Sequence, residues 1–365
     1  MKRIIILASW IAVHCLIGVI DGNAFEFNGF ADASFTKCTN DDCGAIGEEG
    51  GRNGNFTVGT LDLYVAHNMD KIDALVELVI EGGSIVDLER MILRYSFSDA
   101  LQINMGRFHT PMGFWNTSFH HGVQLQTTIN RPEFLLFEDD GGILPVHTVG
   151  LYLSGRTRRD PLIAEYGVMV GNGPRVTSED EESNLISPNN VTDNTMGKSV
   201  AFNVTLSSPL VEGLKLGAQG HIARIESDSS FVPVNGISAV DVDQTIIGAS
   251  IIYSTGNIDL MGEYFSIKDK DNIGSAGSNT SNAYYGLISY TIADRWIPYL
   301  LHENMSVKSD KDPYFIALGS TDVRKTTLGL RYNLSYRSSL KAEWRDVDRA
   351  DGKWNEYGFQ WAIAF

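Results

Sequence analysis

Charged and histidine side chains gather around one long connection of this chain. Arg131, Glu133, Glu138, Asp139 and Asp140, together with His120 and His121, fall within residues 110–145, and His109 and His147 border that stretch. Such a set could hold a metal ion, carry out nucleophilic chemistry, or bias the movement of ions. A metal needs ligand atoms fixed at coordination distance. Adjacent His120 and His121 in an extended chain point to opposite sides, and no spacing here brings Glu133, Asp139 and Asp140 to them. Ser118 and His120 form the one nearby Ser/His pair, and proximity in sequence is weak support for a dyad that also needs an orienting group. The expectation is therefore no metal, no cofactor and no catalysis. Electrostatics remains, with four acids against one arginine.

The elements that must position these groups follow a period of two. From residue 26 onward, segments of about ten residues alternate apolar with small or polar side chains, and clusters of Gly, Asn, Asp, Ser or Pro separate them. Val200, Phe202, Val204 and Leu206 share one face, opposite Ser199, Ala201, Asn203 and Thr205. Leu328, Leu330, Tyr332 and Leu334 likewise oppose Thr327, Gly329, Arg331 and Asn333. The pattern predicts strands at 26–36, 56–67, 72–81, 87–97, 101–109, 146–154, 162–171, 198–208, 213–227, 242–254, 257–268, 282–292, 294–307, 322–334, 338–348 and 354–365. Short turns such as 69–71, 98–100, 255–256 and 335–337 interleave with longer polar loops such as 172–197, 228–241, 269–281 and 308–321. Short turns at one end and long loops at the other, on strands with one apolar face, predict an all-β fold: a transmembrane antiparallel β-barrel of sixteen strands. Closure is required because an open sheet edge would leave backbone groups unpaired in hydrocarbon.

On the wall, alternation aims Arg90 and Arg94, Lys325 and Arg331, and Lys341 and Arg345 toward the interior, opposed by Asp73, Glu77, Asp259, Glu263 and Glu343. These cations are candidate pore-lining groups, and structural ion pairing of the wall is an equal alternative. Arg107 conflicts with the pattern, because Leu101, Ile103 and Met105 share its parity and should face lipid. Either a bulge after Gly106 re-aims it or it lies beyond the membrane zone. Residues 110–145 contain Phe114, Trp115, Phe119, Leu125, Ile129, Phe134, Leu135, Leu136 and Phe137, too apolar for a freely solvated loop. Folding into the lumen as a constriction is the favoured placement, and packing outward against a neighbouring subunit is the other.

Composition agrees with this class. The 365 residues are 43% hydrophobic, 20% charged and 10% aromatic, and the net charge of −16 argues against a nucleic-acid partner. Residues 1–24 read as a signal peptide, with Lys2 and Arg3 before an apolar run to Ile20 and a small-x-small site at Gly22-Asn23-Ala24. The mature chain, 25–365, is then expected to be exported and to form the barrel. Cys38 and Cys43 flank the turn 39–42, and an oxidising compartment favours a disulfide between them over a metal site that lacks further ligands.

The C-terminal alternation Tyr357-x-Phe359-x-Trp361-x-Ile363-x-Phe365 resembles the terminal signal that Gram-negative outer-membrane barrels present to the barrel-assembly machinery. The stretch Gly106-Arg107-Phe108-His109-Thr110-Pro111-Met112-Gly113, with Gly141-Gly142-Ile143-Leu144-Pro145, is similar to the corresponding region of the phosphate-selective-porin-like family. The resemblance implies an outer-membrane location, a water-filled channel for passive diffusion of small hydrophilic solutes and ions, contact with outer-membrane lipid, and a homotrimer. A phosphate-selective pore would concentrate Lys and Arg at its narrowest point, and this acid-rich connection departs from that. Weak cation preference is expected, with anion- or sugar-specific channels as the alternative and an outer-membrane enzyme or adhesin further behind. Protonation of His120 and His121 is expected to weaken that preference.

Overall fold

The computed structural model describes residues 25–39, 53–81, 85–120, 122–136, 142–180, 183–186, 197–350 and 352–365. The signal-peptide region, Cys43, His121, Glu138, Asp139 and Asp140 lie outside them. Among the described residues eighteen strands form: β1 (Glu26–Cys38), β2 (Asn55–Met69), β3 (Ile72–Glu81), β4 (Ile85–Ser98), β5 (Leu101–His109), β6 (His147–Arg159), β7 (Leu162–Gly171), β8 (Arg175–Asp180), β9 (Ser183–Ile186), β10 (Ser199–Ser208), β11 (Val211–Ser227), β12 (Asp241–Thr255), β13 (Ile258–Asp271), β14 (Ser278–Tyr290), β15 (Trp296–Ser306), β16 (Val323–Ser335), β17 (Ser338–Arg349) and β18 (Gly352–Ala364).

Each strand of β1–β7 and β10–β18 pairs antiparallel with its neighbours. β7 pairs with β10, and β18 returns to pair with β1. The sixteen-strand antiparallel barrel expected from alternation is thus closed. The hairpin β8–β9, inserted in the loop after β7, was not foreseen; Arg175 and Val176 run parallel to Glu226 and Ser227 of β11. Closure reaches the last residue, where Gly29 and Phe365 exchange backbone hydrogen bonds of 3.0 Å in both directions.

Alternation sorts the two faces. Phe202 of β10, Ile247 of β12, Leu328 of β16 and Trp361 of β18 are exposed on the outside, whereas Ala201, Ile246, Thr327 and Gln360 beside them are buried. Leaving so many large apolar groups uncovered would be costly in water, and a hydrocarbon surround removes that cost. Among the described residues, no helix is long and apolar enough to cross a membrane. The short turns match expectation. Asp70 between β2 and β3, and Ala293 and Asp294 between β14 and β15, take the positive φ that tight hairpins demand.

Two local irregularities redirect side chains. In the β3–β4 pairing, Glu77 faces Arg90 while Leu78 faces Leu88, so Glu89 is an extra residue and both Glu89 and Arg90 turn inward. Gly106 on β5 has φ +131°, and a Cβ there would lie 1.9 Å from the Met91 carbonyl oxygen. The chain beyond it switches parity. Met105 is exposed and Arg107 is buried, which resolves the Arg107 conflict in favour of re-aiming after Gly106.

Candidate functional site

Between the end of β5 and the start of β6, the described residues 110–120, 122–136 and 142–146 run through the barrel interior. Thr110 N–H donates to Val146 O at 2.8 Å, which closes the base of this segment. A short helix, Phe114–Ser118, begins at Gly113, whose φ of +81° suits glycine. The Glu263 carboxylate of β13 caps it, accepting from Phe114 N–H at 2.5 Å and Trp115 N–H at 3.0 Å, while Tyr285 O–H of β14 donates to the same carboxylate at 2.9 Å. Trp115 packs edge-on against Tyr285, and Phe134 against Phe265. These aromatics belong to the largest buried apolar cluster of the molecule, which is why the segment is so rich in apolar residues.

Interior charges of the β15–β18 wall hold the rest. Lys341 Nζ donates to the carbonyl oxygens of Val123 and Thr128 at 2.5 and 2.8 Å, and Arg331 Nη1 to those of Leu125 and Gln126 at 3.3 and 2.8 Å. Glu343 accepts from Ile129 N–H and from Tyr299 O–H, each at 2.7 Å, and is paired in turn with Arg345, which also reaches Glu356 at 3.2 Å. Glu133 meets Lys325 Nζ at 3.0 Å and is bonded by Arg349, while its own N–H donates to Glu303. Burial disfavours the charged form of Glu133, yet Lys325 and Arg349 outweigh it and hold the carboxyl below its ordinary range. Such fully paired groups are what a buried charge requires.

The candidate residues therefore separate into two groups. Arg331, Lys341 and Arg345 face inward as their parity implies, but the segment covers them, and Arg345 is 1% exposed. Arg90 and Arg94 occupy uncovered wall. Arg90 pairs with Glu77 and retains 26% side-chain exposure, and Arg94 Nε donates to Asn104 Oδ1 at 2.7 Å. Asp32 of β1 accepts from Thr60 N–H at 3.0 Å and from Gln360 Nε2 at 2.9 Å. A polar recess between the helix and the wall is lined by Pro111, Phe114 and Thr117 on one side and by Asn203, Thr205, Gln219 and Ser250 on the other. Arg131 turns back into its own segment, with Nη2 donating to His120 O at 3.0 Å. Ser118 is exposed whereas His120 is buried against Asn116 and Glu89, an arrangement that gives no nucleophile–base contact.

His109, His120 and His147, scattered in sequence, converge with Glu89 at the root of the segment, each histidine placing a ring nitrogen within 4.8 Å of the others. In the sequence His109 and His147 merely flank the segment, and Glu89 carries no signal that groups it with them. The β5–β6 register that sets His109 opposite His147 spans a connection of 37 residues and leaves no local signal.

No family model matches the chain, and no curated protein does. Solved structures do. An anion-selective porin from Comamonas acidovorans superposes with a TM-score of 0.62 at 16% identity, covering 94% of this chain and 100% of the other. The chain has a porin fold. OmpT, an outer membrane protein of Vibrio cholerae, superposes with a TM-score of 0.63 at 12% identity over 95% of this chain and 98% of its own. The outer membrane channel DcaP of Acinetobacter baumannii gives 0.60 at 10% identity over 94% and 98%. These likenesses carry the porin architecture and do not reach to the narrower phosphate-selective resemblance.

Proposed function

We propose that this protein is an outer-membrane porin that forms a water-filled channel for passive diffusion of small hydrophilic solutes and ions, with no catalytic step. One observation carries the reading: a closed sixteen-strand barrel, apolar outside and charged inside, is crossed by a segment fastened to the wall from within. A lipid-facing surface explains the exposed apolar side chains, and a hydrated interior explains the ionisable ones. In this reading residues 110–145 are the constriction, residues 1–24 are the export signal, and Tyr357, Phe359, Trp361, Ile363 and Phe365 address the chain to the barrel-assembly machinery. All five project outward on the closing strand or at its end. The functional unit is a homotrimer embedded in outer-membrane lipid; OmpT of Vibrio cholerae is described in a trimer form.

Selectivity is weak and leans toward cations. Glu133 is matched by Lys325 and Arg349 and adds little negative field, so the acid excess of the segment rests on Glu138, Asp139 and Asp140. On the wall that the segment leaves uncovered, Arg90 is matched by Glu77, while Asp32 and Arg94 add one charge of each sign. An anion-specific channel is the second reading, favoured by Arg90 and Arg94 and by the anion selectivity of the Comamonas neighbour. Swelling of liposomes loaded with purified barrel tests the proposal. Entry rates for neutral sugars should fall smoothly with size, and impermeability to all of them would contradict a diffusion channel.

A further inference from the structure

The histidines at the root of the crossing segment are placed with unusual definition. β5 and β6 pair so that His109 stands directly opposite His147, and the extra residue in β4 turns Glu89 toward both. His120 arrives from the segment itself, two residues after the short helix. The ring centroids are 3.9 Å apart for His109 and His120, 4.9 Å for His120 and His147, and 5.4 Å for His109 and His147. Glu89 Oε2 lies 2.7 Å from His147 Nε2, and Oε1 lies 3.8 Å from His120 Nε2.

Asn116 fixes the tautomer of His120. Its Nδ2 donates to Thr110 O at 3.2 Å and to Val146 O at 3.4 Å, which leaves Oδ1 as the atom facing His120 Nδ1 at 2.9 Å. Nδ1 therefore carries the proton and Nε2 presents its lone pair toward Glu89 and the other rings. An oriented hydrogen bond of this kind behind an imidazole is the usual support of a metal-bound histidine. His109 Nε2 is enclosed and has no hydrogen-bond partner among the described residues. A buried imidazole nitrogen left so is costly unless something binds it.

We propose that His109, His120, His147 and Glu89 bind a divalent transition-metal ion of the Zn²⁺ type, contrary to the sequence expectation of no metal. Zinc–nitrogen and zinc–oxygen bonds of about 2.0–2.2 Å imply ligand–ligand separations of roughly 3.4 Å in a tetrahedron. The three nitrogen atoms lie within 4.8 Å of one another, and Glu89 approaches His147 at 2.7 Å and His120 at 3.8 Å, so the rings draw together around the ion to complete the shell. Three imidazoles select Zn²⁺, Cu²⁺, Ni²⁺ or Co²⁺ over Mg²⁺ and Ca²⁺, which prefer oxygen. Glu89 supplies the anion and is steadied by Arg107, whose Nε donates to the Glu89 carbonyl oxygen at 2.9 Å.

Three of these ligands belong to the wall and one belongs to the segment. A bound ion consequently fastens residues 110–146 at their root, across the interior from the Glu133 anchor. The site does not depend on whether the barrel conducts.

The test uses untagged, full-length mature barrel in detergent, stripped with chelator and titrated with Zn²⁺ by calorimetry and with Co²⁺ by visible absorption. One equivalent should bind, with Co²⁺ giving the intense bands of a tetrahedral site. His120→Ala should abolish stoichiometric binding while the barrel remains heat-modifiable, because His120 lies outside every strand. Asn116→Ala should weaken binding by roughly 10- to 100-fold. His221→Ala, at a buried histidine of β11 remote from the cluster in sequence, should leave it unchanged. Failure of the wild-type barrel to bind a stoichiometric ion, or equal binding by His120→Ala, would overturn the proposal. Should His120→Ala not fold, His109→Gln and the wild-type titration decide by the same criteria.

Discussion

Replacing Glu133 by Gln removes one charge from the best-connected anchor of the crossing segment. The carboxylate receives Lys325 at 3.0 Å and Arg349 besides, and its side chain is 10% exposed. Gln keeps the size and one acceptor, but Lys325 is then left with Glu303, at 3.0 Å, and Arg349 loses the carboxylate it meets. Removing one partner of a buried ion pair costs about 3–5 kcal/mol. If that penalty falls on the anchored state, the ratio of anchored to released segment drops by roughly 10²- to 4 × 10³-fold, since about 1.4 kcal/mol corresponds to tenfold. The assay is limited proteolysis of the folded barrel, read at residues 110–146, beside single-channel recording. Cleavage within the segment should accelerate and current noise should rise. The control is Arg324→Ala: that arginine is 59% exposed in its pair with Asp348 and should change stability by less than about 1 kcal/mol. Acid offers a second route to the same state. The Glu133 carboxyl is held below its ordinary 4.5, so its stabilisation is complete above that pH and is lost as pH falls through the lowered value. Indistinguishable proteolysis and noise in Glu133→Gln and wild type, at pH 7, would show that Glu133 does not anchor the segment.

Gly106→Ala should block barrel formation or lower its yield sharply, because the added Cβ meets the Met91 carbonyl oxygen at 1.9 Å in a backbone with φ +131°; heat-modifiability on gels reads the outcome. Deleting Phe365 or replacing it with Ser removes an outward aromatic from the closing strand, and pulse-chase fractionation should find the chain periplasmic and protease-sensitive rather than assembled. Mass spectrometry without reductant should find Cys38 and Cys43 oxidised to each other. Cys38 is buried at the end of β1 beside Val347 and Trp354, so channel activity should survive its replacement by Ala with at most a small loss of stability.

The strands were legible because each face has one environment. Where Leu328 and Leu330 face outward and Thr327 and Arg331 inward, alternation alone locates the strand, and the register follows once the barrel closes. The β8–β9 hairpin escaped notice because it stands outside the wall ladder and lacks a two-faced pattern. The inward direction of a side chain was legible where parity held, as for Arg90 and Lys341. They were illegible where the backbone broke parity. Strict alternation with Arg90 inward sends Glu89 outward, and only the extra residue opposite Glu77 and Leu78 turns it in. Counting acids in the segment also misjudged its field, since Glu133 meets its partners Lys325 and Arg349 on strands about two hundred residues away.

The proposed function requires that the barrel interior conduct despite the segment that crosses it. Purified protein added to one side of a planar lipid bilayer, with a tenfold KCl gradient across it, measures this directly. A water-filled, weakly cation-preferring channel gives discrete conductance steps that scale with salt concentration and a reversal potential displaced slightly toward the potassium equilibrium value. Insertion of folded, heat-modifiable barrel without any current steps would contradict it.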